Sequence, residues 1–187
     1  MNFIGRKSLV SGLFFTCLMI GSVNAGEIDI DVYGLSYHLD ATQAYAEAPR
    51  GLDSQGQWVF NPGIGVTYDF RDNISEDGFS PIVAVGYFQD CADYPFYFAG
   101  AGIRYRNYID NTNFMWEVNV AGAMLSGVDW DFETRDQYFT PTANIGFGYK
   151  LSEDYLIKAN FSYIPADDSA SGTAGTDLIF MQVSLGF

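Results

Sequence analysis

His38 and the pair Asp90-Cys91 are the residues of this chain whose types could carry group transfer. An imidazole takes a proton, a carboxylate orients it, and a third group attacks or positions a carbonyl; together these make an acyl-transfer site. A thiol suits the third role because it ionises more readily than a hydroxyl beside histidine. Each residue also has a plain structural reading. A lone His is more often an interfacial residue, and a lone Cys a small hydrophobe.

The elements that must position these groups read as strands. Alternation of apolar and polar residues, broken by turn residues, predicts eight: Asp29 to Leu39, Asn61 to Phe70, Ser80 to Asp90, Phe96 to Arg106, Phe114 to Ser126, Thr140 to Lys150, Tyr155 to Pro165 and Thr176 to Phe187. The last strand alternates Ile179, Met181, Val183, Leu185 and Phe187 with Gln182, Ser184 and Gly186, and ends on an aromatic residue. One oily face and one mixed face suit lipid outside and a filled lumen inside, so the expected fold is an all-β, eight-stranded antiparallel transmembrane barrel of an outer membrane. Links after the second, fourth and sixth strands are turn-like, and those after the first, fifth and seventh are longer. Short turns belong in the periplasm and long loops outside, which places both termini on the periplasmic side.

That orientation carries His38 and Asp90-Cys91 to the external rim, with His38 and Asp90 sharing inward parity. The first and third strands lie roughly 10 Å apart across the sheet. Outward positions include Ile64, Val66, Ile103, Tyr105, Trp116, Val118, Ile145 and Phe147; inward ones include Arg104, Arg106, Glu117, Asn119, Asn144, Lys158, Asn160 and Gln182. Gly63, Gly65, Gly100, Gly102, Gly146 and Gly148 also point inward, either as bends of a tight barrel or as room for one small internal ligand. Pro62, Pro141 and Pro165 fall at external strand ends, where a missing N–H would loosen the wall between strands one and two and between six and seven and let a lipid tail enter sideways.

The two ends fix the compartment. Arg6 and Lys7 precede an apolar run from Leu9 to Ile20 and a small-residue site at Val23-Asn24-Ala25, so residues 1–25 read as a removed signal peptide and 26–187 as one barrel domain. Without Arg6 and Lys7 the formal charge is −16, from seven Lys and Arg against twenty-three Asp and Glu. Such a surface repels nucleic acid. Cys91 would then be the only cysteine, which rules out an intramolecular disulfide. Acidic residues between strands, among them Asp129, Asp131, Glu133, Asp136, Asp167 and Asp168, read as solvated loop surface or as holders of bridging cations.

At these residues the chain resembles the lipid A palmitoyltransferases (PagP) of Gram-negative outer membranes. Tyr37-His38 is similar to that family's Trp-His, Phe88-Gln89-Asp90-Cys91 to its Phe-Lys-Asp-Ser, and Phe161-Ser162-Tyr163-Ile164-Pro165 to its Thr-Tyr-Ile-Pro segment. The resemblance implies a monomeric enzyme that takes an acyl chain from a phospholipid and passes it to lipid A or lipopolysaccharide, without metal or organic cofactor. It implies catalysis by His38, Asp90 and Cys91 facing the exterior, an acyl pocket floored by Gly102 near Gly100, and lateral openings framed by Pro62, Pro141 and Pro165. Two features depart from the family: Cys91 stands where it has serine, and its leading amphipathic helix has no counterpart here. An acyl hydrolase using the same residues, and a small barrel without chemistry, structural or adhesive, are the alternative readings.

Overall fold

A computed structural model of the chain describes residues 26–39, 58–89, 95–128, 135–165 and 177–187. The strands are β1 (Glu27–His38), β2 (Trp58–Asp69), β3 (Gly78–Gln89), β4 (Pro95–Tyr108), β5 (Phe114–Val128), β6 (Arg135–Lys150), β7 (Leu156–Ile164) and β8 (Leu178–Gly186). They form a closed barrel in chain order, each antiparallel to the next, with β8 returning to β1. Closure leaves no free sheet edge around the barrel waist, as backbone in contact with lipid requires. No helix among the described residues is long and apolar enough to cross a membrane.

Alternation sorts the side chains as the sequence parity predicts. Among the described strand residues, no exposed side chain is charged. Exposed apolar residues such as Val32, Ile64, Ile103, Val120, Ile145, Phe147 and Val183 cover the outside. Two belts of paired rings bound this surface. Tyr37–Trp58 and Tyr87–Tyr97 lie at one end, with ring centroids 5.3 and 5.4 Å apart. Phe79–Tyr105, Tyr105–Trp116 and Phe114–Tyr149 lie at the other, at 4.8, 5.5 and 4.9 Å. On β2 the belts are represented by Trp58 and Tyr68. That spacing on a tilted strand spans about 25 Å, the height of a bilayer's apolar core in barrels of this kind.

The termini share an end with three turns: Phe70–Asp77, Ile109–Asn113 and Leu151–Tyr155. The first of these folds back under the lumen. Arg71 donates to the carbonyls of Glu76 (2.5 Å) and Gly78 (3.2 Å) and to the Ser80 hydroxyl (2.9 Å). Ile74 buries itself against Met115 and Leu156, with Tyr108 packed alongside. Gly78, at φ +108°, lets the chain leave this turn for β3 in a conformation that other residues rarely adopt.

Candidate functional site

The three residues expected to carry chemistry are not assembled by the described structure. His38 is the last residue of β1, its backbone paired with Leu178 on β8 at the end opposite the termini. Asp90 and Cys91 lie outside the described residues, directly after Gln89, where β3 ends. Strand β2 separates the two locations.

The prolines divide more informatively. Pro62 sits just beyond Gly63↔Phe88, the last pair of β2 with β3 among the described residues. Pro141 lies just beyond Ala143↔Tyr163, where pairing of β6 with β7 stops, and Pro165 follows the last residue of β7. The expected interruption between the sixth and seventh strands is thus present, and the one assigned to strands one and two coincides with the register shift between Tyr33 and Leu35, opposite Pro62, beyond which β1 and β2 are paired again up to Tyr37↔Trp58.

The glycines do not open a ligand sleeve. A Cβ on Gly102 would strike the Val120 carbonyl and the Ala121 backbone, and one on Gly100 would come within 3.0 Å of the Gly122 carbonyl. On Gly63 it would meet Phe88, on Gly65 Tyr33, on Gly146 Asn160, and on Gly148 Met115. All six sit where neighbouring strands or large inward side chains approach closely, so their lack of a side chain is used for packing.

What fills the lumen has two storeys. Toward the end opposite the termini, Tyr33, Phe88, Phe96, Leu125, Tyr138, Ile164, Leu178 and Phe180 form one buried cluster with Phe98 packed against it. Phe88 lies 4.6 Å from Phe96 and 4.5 Å from Phe180, ring centroid to ring centroid. Toward the end that holds the termini, four buried carboxylates, Glu27, Asp29, Asp69 and Glu117, meet four buried cations, Arg71, Arg104, Arg106 and Lys158, with buried Asp31 beside them.

Arg106 is the best-satisfied member of this second storey. Its Nη1 and Nη2 hold both Glu27 oxygens, at 2.5 and 2.9 Å. Its Nε and Nη2 reach Glu117 Oε2 at 3.2 and 3.0 Å, and Nη1 also donates to the Ile74 carbonyl at 3.0 Å. Those contacts occupy all five guanidinium donors. Lys158 Nζ sits 2.6 Å from Asp29 and 3.2 Å from Glu27. Arg104 Nη1 lies 2.9 Å from Asp29 and 3.0 Å from Asp69.

Above the ions runs a polar belt between facing strands. Arg104 Nε donates to Asn119, Asn119 to Asn144, and Asn144 to Ser162, at 3.1, 3.0 and 2.8 Å. Asn160 donates to Ser184 (2.7 Å), while Ser184 and Thr67 both donate to Asp31 (2.5 and 2.7 Å). The sequence parity had already turned Arg104, Arg106, Glu117 and Lys158 inward, but it passed over Glu27, Asp29 and Asp31. The signal was there in their spacing of two, which puts all three carboxylates on one face of a strand. Among the described residues no group of three or more His, Cys, Asp or Glu is arranged to hold a metal ion.

With this geometry fixed, comparison with known proteins locates the fold. No family model matches the chain, and no curated protein sequence does. Among solved structures it is similar to Neisserial surface protein A (NspA), at TM-score 0.55 and 10% identity, over 86% of this chain and 95% of that one. It is also similar to the outer membrane protein OprG from Pseudomonas aeruginosa, at TM-score 0.50 and 12% identity, over 88% and 97%. The fold is that of a small outer-membrane barrel. The resemblance to lipid A palmitoyltransferases is overturned: the structural likeness runs to NspA and OprG and to no palmitoyltransferase, and no family model or curated sequence supports it. Short motifs at strand ends, such as Tyr37-His38 and Ile164-Pro165, were enough to imitate that family because strand termini in barrels generally combine interfacial aromatics with proline.

Proposed function

We propose that this chain is a barrel of a Gram-negative outer membrane with no chemistry of its own, serving a structural or adhesive role through the loops at its external end. The observation that carries this reading is the filled lumen. An acyl chain held along the axis needs a continuous sleeve, and the axis here is taken up by the ring cluster around Phe88 and Phe96 above and by the ion cluster around Arg106 below. The uncharged outer surface between its two aromatic belts supports residence in a bilayer. With the termini and the three described turns at one end, the connections β1–β2, β3–β4, β5–β6 and β7–β8 all emerge at the other. In the sequence those connections carry eleven Asp and Glu against the single Arg50, so the presented surface is strongly anionic.

The test uses detergent-purified protein whose folding is verified by its heat-modifiable migration. It is incubated with a defined phospholipid and lipopolysaccharide, and the lipids are weighed by mass spectrometry. Unchanged lipids are the expected result. Lysophospholipid with acylated lipid A, or free fatty acid alone, would overturn the proposal. On intact cells, added protease should cut within 39–57 or 166–176 while the strands stay protected; cleavage only after the outer membrane is opened would reverse the orientation.

A further inference from the structure

We propose that the lumenal face of β1, Glu27, Asp29 and Asp31, is a register latch that selects how the first strand closes against the last. The seam joins segments that are remote in sequence: Asp29 and Lys158 are 129 residues apart, Asp31 and Ser184 are 153 apart. Its backbone pairing is also irregular. The register of β1 shifts between Tyr33 and Leu35 against both β8 and β2, so the hydrogen-bond ladder is interrupted on each side of the closing strand.

The outer face offers no discrimination. Ile30 pairs with Leu185 and Val32 with Val183, and a slip of two residues would again set apolar residues opposite apolar residues. Such a slip keeps inside and outside correct, so lipid does not oppose it. The lumen does distinguish the registers. In one direction Asp29 would take the place of Glu27, one methylene too short for the two-point contact with Arg106, and Tyr33 would bring a ring between Ser184 and Thr67, where Asp31 accepts from both hydroxyls. In the other direction Glu27 leaves Arg106 altogether. Cations on β4 and β7 thus read the acidic strand from across the barrel, at Arg104, Arg106 and Lys158.

Paired cysteines report the register. In a Cys91→Ala background, Val32→Cys with Val183→Cys crosslinks the native register, while Val32→Cys with Leu185→Cys, or Ile30→Cys with Val183→Cys, crosslinks the two slipped ones. The full chain is isolated from outer membranes and oxidised. Neutralising the latch with Glu27→Gln and Asp29→Asn should raise one slipped crosslink, Val32→Cys with Leu185→Cys, about tenfold or more above the parent, because that slip carries Asp31 to the place of Asp29 and returns a carboxylate to Lys158 and Arg104, which the native register of the variant denies them. Glu117→Gln removes a carboxylate from the same ion cluster but not from β1, and should leave the native crosslink dominant. Where the double variant is not recovered, Glu27→Gln alone makes the same comparison. Native crosslinking only in the latch variants, or equal slippage in Glu117→Gln, would overturn the proposal.

Discussion

Arg106 shows how a single side chain can decide the stability of the barrel's lower half. Its guanidinium is fully buried between Glu27 and Glu117, and its removal leaves two carboxylates facing each other without water. Taking one partner from a buried ionic group costs about 3–5 kcal/mol, more than replacing the whole group with apolar residues would. Arg106→Met is therefore expected to destabilise the folded barrel by about that amount in urea titrations in lipid. Arg106→Lys should recover only part of the loss, since an ammonium cannot span both Glu27 oxygens and both Glu117 contacts at once. A stability within about 1 kcal/mol of the parent for Arg106→Met would show that the cluster is held by its other cations. The inward direction of Arg106 and Glu117 was legible from strand parity alone. Their partner Glu27 was not, because alternation tells which face a residue occupies and is silent on what stands across the lumen.

At the level of strands and turns, eight strands were expected and eight are present among the described residues, β5 beginning at Phe114 as predicted, β1 two residues earlier than Asp29 and β6 five residues earlier than Thr140. Glu27 extends β1 because it pairs with Asp69 and fills the ion cluster, and neither contact has a local sequence signature. The inward glycines kept two readings for a related physical reason. An inward glycine signals either an opening or a close approach, and only the position of the neighbouring strand chooses between them. Gly102→Ala already places a methyl group against the Val120 carbonyl and the Ala121 backbone, so the folded, heat-modifiable fraction should fall, and Gly102→Met should fold still less. Wild-type folding yields for Gly102→Met would restore the idea of space at that point. Gly78 is limited by conformation rather than by room, since nothing lies within 4 Å of where its Cβ would be. With φ at +108°, Gly78→Ala is expected to cost about 1–3 kcal/mol, read as a lower urea midpoint with an unchanged slope.

Over the whole molecule, the distribution of charge is what reconciles a net formal charge of −14 with life in a membrane. Among the strand residues whose side chains are described, the buried charged ones are turned into the lumen, where they meet opposite charges or hydroxyls, and the surface between the aromatic belts carries none. This arrangement makes inside and outside unequal in a way that soluble barrels do not show, and a matched pair of substitutions tests it. Ile145 and Asn144 are neighbours on β6, facing lipid and lumen respectively, midway between Phe139 and Tyr149. An arginine at the bilayer midplane on the lipid face costs about 2–4 kcal/mol, and the penalty falls to about 0–1 near the interfaces. Ile145→Arg should therefore lower stability in phospholipid vesicles by about 2–4 kcal/mol, while the same change at Phe139, near the external belt, should cost about 1 kcal/mol or less. Repeating the measurement in a thinner bilayer separates depth from local packing, because only a depth effect shrinks as the midplane moves closer to water. Equal losses at Ile145 and Phe139 in both bilayers would mean that the surface between the belts is not buried in lipid, and the membrane-spanning reading would fail with it.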